Sequence, residues 1–239
     1  MKKISLLIFT VLYLMASAGV ALAETPEESF KKSFPGIHAD SVSPTAVQGL
    51  YEVTVGSQVV YYAPGPEYLI YGPMVTSGGK NLTEERTTEI IGKKLRTVPL
   101  DKAIRIGTGP HQVIEVTDPD CTFCRKASAY LSGRKDITRY VFLMPLPMHK
   151  DAAAKALHIL CMKDKARAYE EAMSGKMDDM KFAPCKSAAA EELLQEHRKI
   201  AGQAGITGTP VFLIDGQVVV GADIPRMEKL LKVKEKTQP

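Results

Sequence analysis

Two cysteines separated by two residues, Cys121 and Cys124, follow a short apolar run at Val113 to Val116 and an acidic turn, Asp118-Pro119-Asp120. A strand running into Cys-x-x-Cys, with a helix opening behind it, is the arrangement of a dithiol redox site. Residues three apart at the first turn of a helix share a face, so the two sulfurs can close a small ring. The free N–H groups and dipole at that helix end stabilise a thiolate on Cys121. Cys124, one turn further in, is then the more buried partner, which attacks and releases any mixed disulfide formed at Cys121. A structural zinc site would need a second close pair of ligands. Cys161 and Cys185 are far apart in sequence and form no such pair. Covalent haem attachment needs His after the second cysteine, where this chain has Arg125. An inert disulfide suits a helix start behind a strand poorly. The histidines, at 38, 111, 149, 158 and 197, form no metal spacing and no evident triad, so no metal or other cofactor is expected.

Two further features bear on the same chemistry. Glu115 lies six residues before Cys121, on the strand leading to the site, and shares a strand face with Val113. A carboxylate in that place is a candidate proton relay for the second thiol; the alternative is a Glu at the sheet margin paired with Lys or Arg. Downstream, Gly208-Thr209-Pro210 precedes a terminal hairpin. A proline at a strand start is ordinary. A Thr-Pro there behind an upstream Cys-x-x-Cys resembles the cis-proline loop of the thioredoxin superfamily. Thr209 and Pro210 are therefore candidate client-binding residues, together with Thr122 and Phe123 between the cysteines.

The elements that must position these residues fall into two halves. Glu24 to about Phe34 reads as a short amphipathic helix ended by Pro35-Gly36. Strands follow at Leu50 to Val55, Val59 to Ala63 and Tyr68 to Tyr71, with Gly56-Ser57 as the first hairpin turn. This half is marginal as an isolated fold, and partner surface would help it. Asn81 followed by Glu84 reads as a capping box for a helix running to Pro99. Its narrow stripe of Ile91, Leu95 and Val98 amid charge suits a solvated linker better than a core helix. The second half carries strands at Val113–Val116 and Tyr140–Met144, then an Ala-, Lys- and Met-rich helical stretch from about 151 to 204. It closes on a hairpin, 211–214 and 217–220, turning at Asp215-Gly216, and a last helix capped by Asp223.

The start of the chain sets the compartment. Lys2 and Lys3, an apolar core from Ile4 to Leu14, and Ala21-Leu22-Ala23 form a secretory signal with cleavage before Glu24. The uninterrupted apolar stretch is short for a membrane anchor. Without Lys2 and Lys3 the 31 basic residues become 29, against 27 acidic ones. That near-neutral balance argues against a nucleic-acid partner.

Taken as a whole, the chain resembles the DsbC and DsbG family of bacterial periplasmic disulfide isomerases. The resemblance spans the mature chain and rests on the order of its parts, on Tyr71-Gly72-Pro73-Met74, and on Thr117, Asp118 and Cys121. It implies an α/β fold (α+β overall): a thioredoxin-like catalytic domain with a helical insertion at 101–239. Before it come a signal peptide at 1–23, a strand-rich dimerisation domain at 24–80 and a linker helix at 81–100. It further implies a soluble periplasmic homodimer with a shared cleft, misoxidised client proteins, a DsbD-like membrane reductase as electron donor, and a structural disulfide between Cys161 and Cys185. Closing that loop would stabilise the domain by about 3.5 kcal/mol; a second redox pair is the rival reading. The central Thr122-Phe123 departs from the Gly-Tyr associated with DsbC. Phe123 adds no charge beside the thiolate, so an intermediate potential is expected, with Arg125 helping Cys121 and Asp118 and Asp120 opposing. A DsbG-like reductase protecting single cysteines, or a dimeric holdase without chemistry, are the competing functions.

Overall fold

A computed structural model of the chain describes residues 24–180 and 185–232; the signal segment expected at 1–23 lies outside them. Helix α1 (Pro26–Ser33) is closed at its start by a reciprocal capping box between Thr25 and Glu28. Strands β1 (Ser41–Pro44), β2 (Tyr51–Val55), β3 (Gln58–Ala63) and β4 (Tyr68–Ile70) form an antiparallel meander in that order. Strand β1 was not expected: Ser41-Val42-Ser43-Pro44 holds one apolar residue and ends in proline. It exists because β2 offers it an edge, pairing Val42 with Val53. Phe30 and Phe34 of the first helix region meet Tyr62 edge-on, and with Val53 and Val60 they make the core of this half.

Helix α2 (Leu82–Leu95) is shorter than its pattern suggested, with the Asn81 side chain accepting from the Glu84 N–H at 3.0 Å. It is not a solvated linker. Ile91 and Leu95 are buried among Ile114, Val116, Leu213 and Val218 of the second half. The narrow stripe suffices because Gly92 lets the helix come close; a Cβ there would lie 3.1 Å from a Val218 methyl. At α2's far end, Lys94 Nζ donates to the Gly56 carbonyl and to Ser57 Oγ. Ser57 in turn donates to the Ala204 carbonyl at 2.7 Å. The two halves are thus bonded through the β2–β3 turn.

The second half contains β5 (Ile104–Ile106), β6 (His111–Thr117), α3 (Thr122–Leu131) and β7 (Ile137–Leu143). After them come α4 (Ala152–Cys161), α5 (Lys165–Met173), α6 (Ala188–Gln203), β8 (Val211–Ile214), β9 (Gln217–Val220) and α7 (Ile224–Lys232). The sheet order is β5-β7-β6-β8-β9. β6 and β7 run parallel, joined by α3, and the other neighbours are antiparallel. The three-residue edge strand β5 is too short to leave a pattern in the sequence. Along β6 the side chains alternate: Ile114 and Val116 face α2 and α6, whereas Val113 packs under α3 with Ala127 and Leu131. The turn at Asp215-Gly216 has φ of 45° and 87°, as a two-residue hairpin of its hand requires. Asp223 caps the last helix, accepting from the Arg226 N–H, and Met227 and Leu231 are buried beneath it.

Candidate active site

Cys121 is the N-cap residue of α3 and Cys124 its third helical residue. Both are unbonded thiols; Cys121 is 6% exposed and Cys124 fully buried. The Cys121 thiol points at the Thr209 carbonyl across 3.5 Å. Thr209 therefore lies over the dithiol although 88 residues separate it from Cys121. The Thr209-Pro210 peptide is cis, and the Pro210 carbonyl accepts from the Gly221 N–H, tying the loop to the end of β9. Phe123 stands 62% exposed between the cysteines, with Thr122 exposed beside it.

Burial pushes the Cys124 thiol well above its ordinary range, against the opposing influence of the nearby Thr117 and Thr209 hydroxyls and of the Asp118 backbone. The Asp118 N–H points at its sulfur at 3.4 Å. Asp118 itself is fully buried. One carboxylate oxygen accepts from the Asp120 N–H; the other accepts from the Leu146 N–H at 2.6 Å and meets His149 Nδ1 at 2.8 Å. His149 is therefore a partner of the loop before the cysteines rather than a free surface group. Sequence spacing could not reveal this pairing, since it crosses 31 residues.

Arg125 does not serve Cys121. Its guanidinium binds Asp178 through both terminal nitrogens, Asp120 through one of them, and the Pro119 carbonyl through Nε. The buried Lys155 also binds Asp120 and Asp178. These two cations and two acids clamp the turn ahead of Cys121 onto the helical insertion. The acid charges near the site are thereby balanced by fixed partners. Arg125 and Lys155 hold the Asp178 carboxyl well below the usual carboxylate range.

Glu115 is fully buried and paired with an arginine, as the alternative reading expects, but on the central strand rather than at a sheet margin. Its oxygens accept from Arg139 Nε and Nη2, at 3.1 and 2.7 Å, and from Tyr169 OH at 2.6 Å. Arg139 is 2% exposed and lies over the Tyr169 ring. None of Glu115's described hydrogen bonds reaches either thiol. Tyr169 and Arg139, the partners that sequence reading missed, come from the insertion and from β7. In the sequence they look like a helix aromatic and an alternating strand charge.

Cys161 and Cys185 are joined by a disulfide that links α4 to the segment before α6. Beside the Thr209-Pro210 loop, a cavity of about 670 Å³ opens between it and the first half. Val59, Pro73, Thr87 and Ile91 line one side and residues 205–211 the other. Among the described residues, no group of His, Cys, Asp and Glu could hold a metal ion, and no helix is long and apolar enough to cross a membrane.

Comparison with known proteins adds the following. Residues 17–84 match the disulfide bond isomerase N-terminal domain (DsbC_N), and residues 100–234 match the thioredoxin-like domain. The thiol:disulfide interchange protein DsbC of Escherichia coli K12 is 28% identical over 96% of this chain and 94% of its own length. A probable DsbC of Bordetella avium is 25% identical over 85% of this chain and 72% of its own. Among solved structures, the thiol-disulfide exchange protein alpha-DsbA2 of Wolbachia pipientis aligns with 65% of this chain and all of its own. It does so at 16% identity and a TM-score of 0.50, a likeness of fold alone.

Proposed function

Because this chain belongs to the thioredoxin-like family and matches a disulfide bond isomerase N-terminal domain ahead of it, we propose that it reshuffles wrong disulfides in secreted proteins. It is a thiol–disulfide oxidoreductase and isomerase. The observation that carries the reading is the pairing of a rim cysteine at a helix start with a fully buried one behind it, under the Thr209 carbonyl.

In the proposed cycle the Cys121 thiolate attacks a client disulfide. A bond forms between Cys121 and one client sulfur, and the other client sulfur leaves as a thiolate. If that thiolate attacks another client disulfide, and the client thiolate so released attacks the client sulfur held by Cys121, Cys121 leaves as a thiolate and the result is isomerisation with no net electron transfer. If Cys124 attacks Cys121 instead, the client leaves reduced and the enzyme is oxidised. A membrane thiol reductase of the DsbD kind is the proposed source of electrons to restore the dithiol. Thr209 and Pro210, with Thr122 and the exposed Phe123, are the proposed client contacts, and the cavity beside the loop is the room for a client segment. Glu115 is the proposed proton relay at one remove, since its own bonds run to Arg139 and Tyr169. The disulfide between Cys161 and Cys185 is assigned a structural role, because neither cysteine sits at an activating helix start.

The first half, to about residue 80, is assigned to homodimerisation, which would set two dithiols across a shared cleft. Periplasmic location is proposed from the signal expected at 1–23 and is supported by the likeness to the DsbC relatives. The test is the refolding of a scrambled multi-disulfide protein. Cys121→Ser should abolish isomerisation and Cys124→Ser should accumulate mixed disulfides. Isomerase activity surviving in Cys121→Ser would overturn the reading, and aggregation suppression without any isomerisation would favour a holdase. Sedimentation of the full chain as a monomer at micromolar concentration would remove the dimer and the shared cleft.

A further inference from the structure

Among the described residues, two buried side-chain atoms have no hydrogen-bond partner, Thr117 Oγ1 and Thr209 Oγ1. Buried hydroxyls are normally satisfied, so each such atom calls for a reason. Asp118, the residue after Thr117, points its N–H at the Cys124 sulfur at 3.4 Å, and the Thr117 and Thr209 hydroxyls act on that same sulfur. Thr209 belongs to the loop already given a client-binding role. Thr117 has none. It ends β6 on the face that Glu115 occupies two residues earlier, is fully buried, and points into the floor beneath α3. If its task were only to fill space, valine would have the same shape and leave no hydroxyl stranded.

We propose that the Thr117 hydroxyl is a catalytic hydrogen-bond donor to the Cys124 thiolate in the step that releases the client. This rests on the thiol–disulfide reading above. In that step the Cys124 sulfur bonds to Cys121, the bond between Cys121 and the client breaks, and the client sulfur leaves as a thiolate. The proton that Cys124 gave up ends on the departing client thiolate, so atoms and electrons balance. Only the thiolate attacks, and burial disfavours it at this sulfur. A threonine hydroxyl is free to rotate. With no partner in the resting dithiol it is unconstrained, and it turns to donate once the charge forms. An atom stranded in the resting dithiol thus gains its partner in the attacking state, which is where an interaction accelerates a step. The Asp118 N–H, 3.4 Å from the same sulfur, is a second donor already in place.

The experiment uses the full chain and a mixed disulfide preformed between Cys121 and a single-cysteine client peptide. Release of the peptide reports attack by Cys124; reaction of Cys121 with fresh peptide disulfide reports the first step. Losing one donor to a charged sulfur should raise its pKa by about one unit. Part of that loss is regained, because a more basic thiolate is more nucleophilic. Thr117→Val is therefore expected to slow release about threefold relative to the first step, Thr117→Ala to do the same should the valine variant fail to fold, and Thr117→Ser to restore release. Release at the wild-type rate in the hydroxyl-free variants, or Thr117→Ser as slow as Thr117→Val, would overturn the assignment. A wild-type chain that forms no mixed disulfide at all would instead overturn the function beneath it.

Discussion

Removing Arg139 should cost more stability than almost any other single change in this chain. Its guanidinium is 2% exposed and faces a Glu115 carboxylate with no exposure at all. Arg139→Met keeps much of the apolar bulk but strands that carboxylate in the core, with only Tyr169 OH still donating to it. Breaking one side of such a buried pair costs about 3–5 kcal/mol, because the remaining charge has lost its compensation. With a urea slope near ~2 kcal/mol per M, the unfolding midpoint should fall by about 2 M. Glu115→Met should cost a similar amount by stranding the guanidinium. The double variant should not cost the sum. With both charges gone, what remains is the loss at Tyr169 OH and Ser128 Oγ, about 1–3 kcal/mol, since these two hydroxyls can turn to one another. With each single variant costing about 4 kcal/mol and the double about 2, the coupling energy from the cycle should be about 6 kcal/mol. The assay is equilibrium urea unfolding at neutral pH, with the Cys161–Cys185 bond intact in every variant. Additive single effects, or an Arg139→Met cost below about 1 kcal/mol, would refute the account of this site as one electrostatic unit.

Three other outcomes follow from particular contacts. His197 accepts from the Leu143 N–H through Nδ1 and so donates through Nε2 to the Lys102 carbonyl. Burial lowers its pKa, so below about pH 6.5 the unfolded chain takes up a proton that the folded chain refuses. Stability should fall there by up to ~1.4 kcal/mol per pH unit, and His197→Gln should flatten that slope in unfolding curves between pH 7.5 and 5.5. Replacing both Cys161 and Cys185 by Ala, which opens a loop with a sequence separation of 24, should cost about 3.5 kcal/mol in chemical unfolding. The alkylation rate of Cys121 should stay unchanged. Gly205 has φ +72° and sits where a Cβ would meet the Ser57 side chain at 2.2 Å. Gly205→Ala should therefore destabilise by more than about 1 kcal/mol and loosen the first half, read as faster proteolysis within residues 40–80.

The chemistry of this chain was legible in the sequence because it is local. The strand into Cys121-x-x-Cys124, the Thr209-Pro210 step before a hairpin, and the turn at Asp215-Gly216 are each written within a few residues, where backbone geometry and helix position decide the outcome. The alternation along β6 likewise placed Glu115 on one face with Val113. What that carboxylate does was not local. Arg139 and Tyr169 reach it across 24 and 54 residues, and a charge in a strand looks the same whether its partner is water or a buried acid. Arg125 reads as a neighbour of the thiolate until the fold brings Asp178 to it from the insertion. Helix α2 reads as solvated until Gly92 is seen to admit Val218, and β1 is a strand only because β2 lends it an edge. Local steric and hydrogen-bonding preferences made the dithiol readable. Burial and charge pairing, which set how each thiol behaves, are properties of the packed chain, and only the tertiary structure decided them.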